Sequence, residues 1–127
     1  REIIVLSDLE AVSRRAAAKF VELTKANGKN GYSFNVALSG GLTPKRLYQL
    51  LADENEDFRR SVDWRKVNFF WGDERHVPLD DPRNNAHQAI QLLFSKINIP
   101  AENIIRIQTD LSPAEAAQHY EQAIQDL

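Results

Sequence analysis

The chain has 127 residues, a formal net charge of −2 and no cysteine, with 43% hydrophobic and 27% charged residues. These values are ordinary for one folded domain, and they exclude a disulfide framework and a strongly basic surface for nucleic acid or an anionic membrane. The sequence has no signal-peptide pattern and no apolar run of membrane-spanning length. We therefore expect a cytoplasmic protein that binds neither nucleic acid nor membrane.

The first two predicted elements are a strand at residues 2–6 and the helix that follows it. Ser7 and Glu10 have the spacing of a capping box, which typically opens a helix. The helix should end near Gly28, before a polar loop at residues 28–31. Its predicted buried face consists of Leu9, Val12, Ala16, Phe20 and Leu23.

A second strand is predicted at residues 34–38, followed by a tight turn and another helix. The strand is short and apolar, and leucines recur at helical spacing after the turn. Thr43 suits the N-cap of that helix, and Pro44 suits its first position. Gly40 and Gly41 permit positive φ and a close approach of backbone N–H groups to a ligand. The turn is therefore a candidate anion site.

The turn does not match the common nucleotide-binding loops. Both the G-x-x-x-x-G-K-[ST] and the G-x-G-x-x-G patterns are absent from it. Residues 37–41 come within one residue of the G-x-S-x-G nucleophile elbow of esterases. That elbow normally follows several strands, and here the helix starts four residues beyond Ser39. Both facts disfavour Ser39 as a nucleophile.

The second half of the chain continues the alternation of strands and helices. Strands are predicted at residues 67–71 and 104–107, the first of them continuously apolar, as in a parallel sheet covered on both faces. The helix between them should start near Asn85 and bury Ala86, Ile90, Leu93, Phe94 and Ile97. A capping box at Ser112–Glu115 opens the last helix, which should bury Ala117, Tyr120, Ile124 and Leu127. This order predicts an α/β fold, a doubly wound parallel sheet with helices on both faces (Rossmann-like).

A charged stretch, Asp73–His76, directly follows the strand at residues 67–71. In open parallel sheets, ligands bind beyond the carboxyl ends of the strands, so this stretch and the glycine turn can share one crevice. An arginine there can bind a phosphate or a carboxylate through two hydrogen bonds. The alternative is a solvated strand end in which Arg75 merely pairs with Glu74.

Together these stretches resemble the 6-phosphogluconolactonases, within the wider family that includes glucosamine-6-phosphate isomerase. The matching segments are Ser39–Pro44, Trp71–Pro78 and Asn84–Asn85. The isomerases usually continue Asp-Glu with Tyr-Val-Gly, whereas Arg75–Pro78 looks like the lactonases. The resemblance implies that the turn holds the phosphate of a small sugar phosphate and that the Asp-Glu stretch lines the sugar. The substrate-binding residues are then Ser39, Gly40, Gly41, Thr43, Glu74, Arg75 and Asn85, with Asp73 as a catalytic candidate.

The chain lacks one motif of the lactonases, an Asp-Gly-His sequence at the scissile carbonyl. It also starts at Arg1 and contains no methionine. We expect residues 1–127 to be the N-terminal part of a single lactonase domain, with a sheet that is incomplete at its C-terminal side. The main catalytic Asp and His would lie beyond Leu127, in a remainder that packs on this part, and the fragment alone would be inactive.

The implied reaction is hydrolysis of 6-phosphogluconolactone in the pentose phosphate pathway, without a metal or another cofactor. The three histidines of the chain do not have the spacing of a metal site. Two alternatives stay open: an enzyme like the glucosamine-6-phosphate isomerases and deaminases, and a non-catalytic domain that senses a sugar phosphate. Arg75 and His76 favour the lactonase.

Overall fold

The computed structural model describes residues 2–28 and 33–127. The elements in chain order are helix α1 (Leu9–Gly28), strand β1 (Phe34–Leu38), helices α2 (Lys45–Ala52) and α3 (Asp57–Arg60), strand β2 (Val67–Trp71), and helices α4 (Asn85–Leu92) and α5 (Pro113–Gln125). The α/β fold class is thus confirmed. Most of the polar loop predicted at residues 28–31 lies outside the described residues. No helix in the described ranges has the length and apolar character to cross a membrane.

The sheet of the described residues consists of β1 and β2, which pair in parallel with Leu38 opposite Trp71. Both strands agree with the prediction. The strand predicted at residues 104–107 is reduced to a parallel bridge between Phe69 and Ile104. The cause is Tyr120, whose hydroxyl accepts a hydrogen bond from the N–H of Trp71 at 2.6 Å and donates to its carbonyl at 2.8 Å. Those are the backbone groups through which a parallel ladder would continue.

The strand predicted at residues 2–6 is also wrong, because no strand pairs with these residues in the described structure. Their apolar side chains are exposed, Val5 by 87%. A strand exists only through its hydrogen bonds to a neighbouring strand, so an apolar run without such a neighbour stays irregular.

The start of α1 differs from the predicted capping box. The carboxylate of Asp8 accepts a hydrogen bond from the N–H of Ala11 at 2.8 Å, and the helix begins at Leu9. Glu10 does not reach back to Ser7, because its carboxylate binds Arg14 at 2.8 Å and Arg46 at 2.5 Å. These two guanidinium groups lower the pKa of Glu10 to about 2.

The starts of α2 and α5 were predicted with different success. Pro44 occupies the N-cap of α2, one residue later than expected, and Thr43 makes no capping hydrogen bond. The box at Ser112 and Glu115 forms as predicted: the Ser112 hydroxyl accepts from the N–H of Glu115, and the Glu115 carboxylate accepts from the N–H of Ser112.

The buried faces of α1 and α5 are rotated relative to the prediction. In α1 the buried positions are Ser13, Ala17 and Phe20, whereas Leu9, Val12 and Leu23 are exposed. In α5 only Ala116 is buried, Tyr120 is half-buried, and Ala117, Ile124 and Leu127 are exposed. Equally apolar helix faces compete for the core, and side-chain periodicity does not tell which of them meets the sheet.

The core of the described residues lies between the two strands and the helices. Five aromatic side chains pack there: Phe20, Trp64 and Phe69 are stacked, and Phe94 meets Phe69 and Trp71 edge-to-face. The predicted core contacts of α4 are confirmed for Ala86, Leu93 and Phe94, which are buried. The helix itself ends at Leu92, and a short 3₁₀ turn follows at residues 94–96.

Candidate functional site

The two unusual stretches of the sequence lie side by side at one edge of the sheet. β1 and β2 run in parallel and end at the same level, and the N–H of Gly72 donates to the carbonyl of Leu38 at 3.4 Å. The turn at residues 39–43 and the segment at residues 73–76 therefore leave neighbouring strand ends, as the sequence predicts. This edge is where ligands bind in open parallel sheets.

The two glycines of the turn are needed for different reasons. Gly41 has φ +85°, and a Cβ atom there would have no neighbour within 4 Å. Glycine is needed at position 41 because of the backbone conformation, since L-residues with a side chain avoid positive φ. A Cβ atom on Gly40 would instead lie 1.7 Å from Oδ1 of Asn85. Glycine is needed at position 40 because a side chain would collide with Asn85.

The carbonyl groups of the turn are held by other parts of the chain. The Tyr48 hydroxyl donates to the carbonyl of Ser39 at 2.7 Å, and the side-chain amide of Gln88 donates to the carbonyl of Gly41 at 3.0 Å. In the part of the chain that the structure describes, the N–H groups of residues 40–43 have no hydrogen-bond acceptor. The turn thus presents unpaired backbone donors at the start of α2, which suits an anion.

Glu74 does not point freely into the crevice. One carboxylate oxygen accepts from the N–H of Asn85 at 2.6 Å, and the other accepts from the N–H of Ala86 at 2.9 Å. These two donors are the first free N–H groups of α4, so Glu74 caps that helix. Asn84 completes the cap by accepting from the N–H of His87 at 2.9 Å.

Asn85 connects the two strand ends. It is 4% exposed, its side chain packs against Gly40, and its amide donates to the carbonyl of Asp73 at 3.1 Å. The first turn of α4 therefore contacts both the glycine turn and the acidic segment. Of the predicted substrate-binding residues, Glu74 and Asn85 already bind other parts of the chain in this structure.

Asp73 and Arg75 are the accessible charges of the site. Their side chains are 68% and 61% exposed, and Nε of Arg75 lies 3.9 Å from a carboxylate oxygen of Asp73. The expected alternative, an ion pair from Arg75 to Glu74, does not form, since Arg75 donates to the Glu74 carboxylate through its backbone N–H and not through its guanidinium group. The guanidinium group is therefore available to a ligand.

The other side chains singled out in the sequence, Ser39, Thr43 and His76, make few contacts. The hydroxyl groups of Ser39 and Thr43 make no hydrogen bond to another described residue, so no base activates Ser39 there. Nε2 of His76 lies 2.9 Å from the carbonyl of Leu111, beside an open cleft of about 640 Å³ between the end of β2 and α5. Among residues 2–28 and 33–127, no three His, Cys, Asp or Glu side chains are grouped to hold a metal ion.

Sequence reasoning missed Tyr48 and Gln88. Gln88 follows Asn85 by three residues in α4, so both lie on one face of the helix, and this spacing was the available signal. Nothing local marks Tyr48, whose hydrogen bond depends on the packing of α2 against the end of β1.

Comparisons with known proteins identify the family of this chain. The model of the family "Glucosamine-6-phosphate isomerases/6-phosphogluconolactonase" matches residues 7–127. A 6-phosphogluconolactonase of Haemophilus influenzae is 36% identical over 110 residues, which cover 87% of this chain and 45% of that protein. One from a Nostoc species is 36% identical over 126 residues, with coverages of 98% and 50%.

Solved structures show the same relation. The crystal structure of a 6-phosphogluconolactonase from Thermotoga maritima is 30% identical, has a TM-score of 0.80, and is matched over 97% of this chain and 53% of its own. A monomeric glucosamine-6-phosphate deaminase has a TM-score of 0.84 at 16% identity, over 99% and 51% of the two chains, and so shares the fold. The chain spans about half the length of the relatives it matches. It belongs to the glucosamine-6-phosphate isomerase/6-phosphogluconolactonase family.

Proposed function

We propose that the protein carrying this chain hydrolyses 6-phosphogluconolactone to 6-phosphogluconate, and that residues 1–127 are the N-terminal part of its single domain. The observation that carries the proposal is the turn at residues 39–43: its N–H groups at residues 40–43 have no acceptor among the described residues, and the neighbouring strand end carries the accessible Arg75. The matched relatives named 6-phosphogluconolactonase support the choice of substrate. A soluble, charged sugar phosphate fits a cytoplasmic location.

The phosphate of the substrate binds at the turn. Backbone N–H groups of residues 40–42 and the hydroxyl groups of Ser39 and Thr43 supply hydrogen bonds, and Arg75 reaches the phosphate from the neighbouring strand end. The dipole of α2 contributes about 0.3–1 kcal/mol. A hydrogen bond to a charged group contributes about 1.5–3 kcal/mol, so Arg75 outweighs the dipole.

The lactone ring lies along the segment that follows β2. Asp73 is the accessible carboxylate there and the candidate for proton transfer in this part of the domain. Glu74 and Asn85 line the same edge, and their contacts to α4 and Gly40 fix its shape. Water attacks the carbonyl carbon, and the ring oxygen leaves as a hydroxyl group. The base that activates this water belongs to the remainder of the domain.

The remainder of the domain covers the apolar surface of α1. Leu9, Val12 and Leu23 are exposed there, together with the apolar residues 3–6. Exposed apolar side chains of this kind suit a contact with another polypeptide segment. The relatives, which are about twice as long as this chain, supply a segment of sufficient size. Because the base that activates the water belongs to this remainder, residues 1–127 alone should show no lactonase activity.

The test compares two lactones in the complete protein. We expect turnover of 6-phosphogluconolactone, and Arg75→Ala should raise its KM by about one to two orders of magnitude. The KM for the unphosphorylated lactone should hardly change. Arg83→Ala is the matched control, since Arg83 is equally exposed and binds Asp81 outside the site.

Three outcomes would contradict the proposal. Equal effects of Arg75→Ala on both lactones would remove Arg75 from the phosphate. Release of ammonia from glucosamine 6-phosphate without lactone turnover would indicate a deaminase. Binding of 6-phosphogluconate without turnover of any lactone would indicate a sensor.

A further inference from the structure

We infer that Tyr48 and Gln88 are positioning residues for the phosphate site, and that they act by fixing the orientation of two peptide groups in the turn at residues 39–43. The inference rests on the proposed function, in which this turn binds the phosphate. Neither residue was predicted from the sequence, and neither touches the ligand itself. Both hold the side of the turn that faces away from it.

The geometry of the peptide group links each carbonyl to the N–H that follows it. In a trans peptide the carbonyl and the N–H that follows it are coplanar and point in opposite directions. Whatever holds the carbonyl of one residue therefore directs the N–H of the next residue to the other side. A partner on a carbonyl thus orients a donor that it does not touch.

Tyr48 applies this constraint at the start of the turn. Its hydroxyl donates to the carbonyl of Ser39 at 2.7 Å, which directs the N–H of Gly40 away from that hydroxyl. Tyr48 is 2% exposed, and burial raises the pKa of its hydroxyl to about 12. The group therefore stays protonated and keeps donating throughout the neutral range.

Gln88 applies the same constraint two residues later. Its amide donates to the carbonyl of Gly41 at 3.0 Å, which directs the N–H of Leu42 away from α4. Its side-chain oxygen is buried and has no partner among the described residues. The contact with the turn is thus the hydrogen bond that holds this amide in place.

The conformation of Gly41 makes the second constraint necessary. Gly41 has φ +85°, and no atom lies within 4 Å of the position that a Cβ atom would occupy, so no side chain packs against that side of the residue. A glycine populates positive and negative φ with similar ease. Gln88 therefore selects, from the conformations open to Gly41, the one that turns the Leu42 N–H toward the ligand.

The test uses a matched pair of substitutions in α4 of the complete protein. Gln88→Met keeps the length and helix propensity of the side chain but removes the donor. Gln91→Met makes the same change at an exposed position of the same helix. We expect Gln88→Met to raise the KM for 6-phosphogluconolactone by about 3- to 10-fold, with kcat nearly unchanged. Gln91→Met should leave both constants unchanged.

A second variant and a second substrate separate positioning from general damage. Tyr48→Phe should raise the same KM by about 3- to 10-fold, and neither variant should alter the KM for the unphosphorylated lactone. A similar rise for both lactones, or an effect of Gln91→Met equal to that of Gln88→Met, would overturn the inference.

The inference and the proposed function can fail separately. If Arg75→Ala weakens only the phosphorylated lactone while Gln88→Met and Tyr48→Phe behave like Gln91→Met, the phosphate site stands and the positioning role is wrong. If the parent protein turns over no lactone, the proposed function fails. The positioning role is then tested by titration with inorganic phosphate, which Gln88→Met should weaken and Gln91→Met should not.

Discussion

The ends of β1 and β2 lie side by side, but one presents backbone N–H groups and the other presents charged side chains. The end of β1 offers backbone groups: in the described part of the chain the N–H groups of residues 40–43 have no acceptor, and Tyr48 and Gln88 bind two carbonyl groups of the same turn. The end of β2 is made of charged side chains, one of which, Glu74, is used to cap α4. The orientation of backbone N–H groups depends on the residues around them, whereas a charged side chain can be removed by a single substitution. The following predictions test that difference.

The largest effect is expected from Gly40→Ala. The new Cβ atom would lie 1.7 Å from Oδ1 of Asn85, so the Asn85 side chain must leave its place and lose its hydrogen bond to Asp73. We expect the free energy of unfolding to fall by about 3 kcal/mol. Chemical denaturation measures this, and Gly72→Ala, where a Cβ atom meets nothing within 4 Å, is the control.

The cause of that loss can be checked with a second substitution. Asn85→Ala removes the atoms that Gly40→Ala would strike, so the double variant should be more stable than the sum of the single effects. Strict additivity of the two substitutions would show that Asn85 is not the obstacle.

The next effect is expected from Glu74→Ala, which leaves the first N–H groups of α4 without their acceptor. The free energy of unfolding should fall by about 2 kcal/mol, the loss of a charged helix cap. Asp73→Asn is the control, because the neighbouring carboxylate makes only the 3.9 Å contact with Arg75. A larger loss of stability for Asp73→Asn than for Glu74→Ala would contradict the assignment of the cap.

A smaller effect is expected from Gly41→Ala, because the position has space but requires positive φ. The cost should be about 1 kcal/mol. Gly41→Asn should be less destabilising than Gly41→Ala, since asparagine tolerates this conformation better. The reverse order in thermal melting would indicate a steric cause instead.

The smallest effect is expected from Glu10→Gln, which removes the carboxylate that pairs with Arg46 in the first turn of α2. A carboxylate oxygen of Glu10 lies 2.5 Å from Nε of Arg46, whereas Nε of Arg75 lies 3.9 Å from the carboxylate of Asp73. Arg75 is therefore more available to a ligand than Arg46. Because Arg46 and Arg14 lower the pKa of Glu10 from 4.5 to about 2, its contribution to stability is complete above pH 4.5 and is lost as the pH falls toward 2. The Tm difference between the parent protein and Glu10→Gln should shrink over that range. A constant difference would contradict the linkage.

Local patterns predicted the parts of the molecule that local interactions decide. The strands β1 and β2, the Ser112–Glu115 box and the glycine turn all follow from residues within a few positions of one another. The segment at residues 104–107 does not, because Tyr120, far along the chain, takes the hydrogen bonds of Trp71. The same holds for the site: its glycines were recognisable, whereas the partners of its carbonyl groups lie on other helices.

Tyr120 has a consequence for how the molecule meets its neighbours. An open strand edge offers unpaired N–H and C=O groups to any other extended chain and thereby promotes aggregation. At Trp71 one phenolic hydroxyl occupies both of these groups, while Ile105 takes the carbonyl of Phe69 at 2.8 Å. A foreign strand finds no free pair of backbone groups at these two residues, so the Tyr120 hydroxyl and the backbone of Ile105 together protect this edge of the sheet against strand addition.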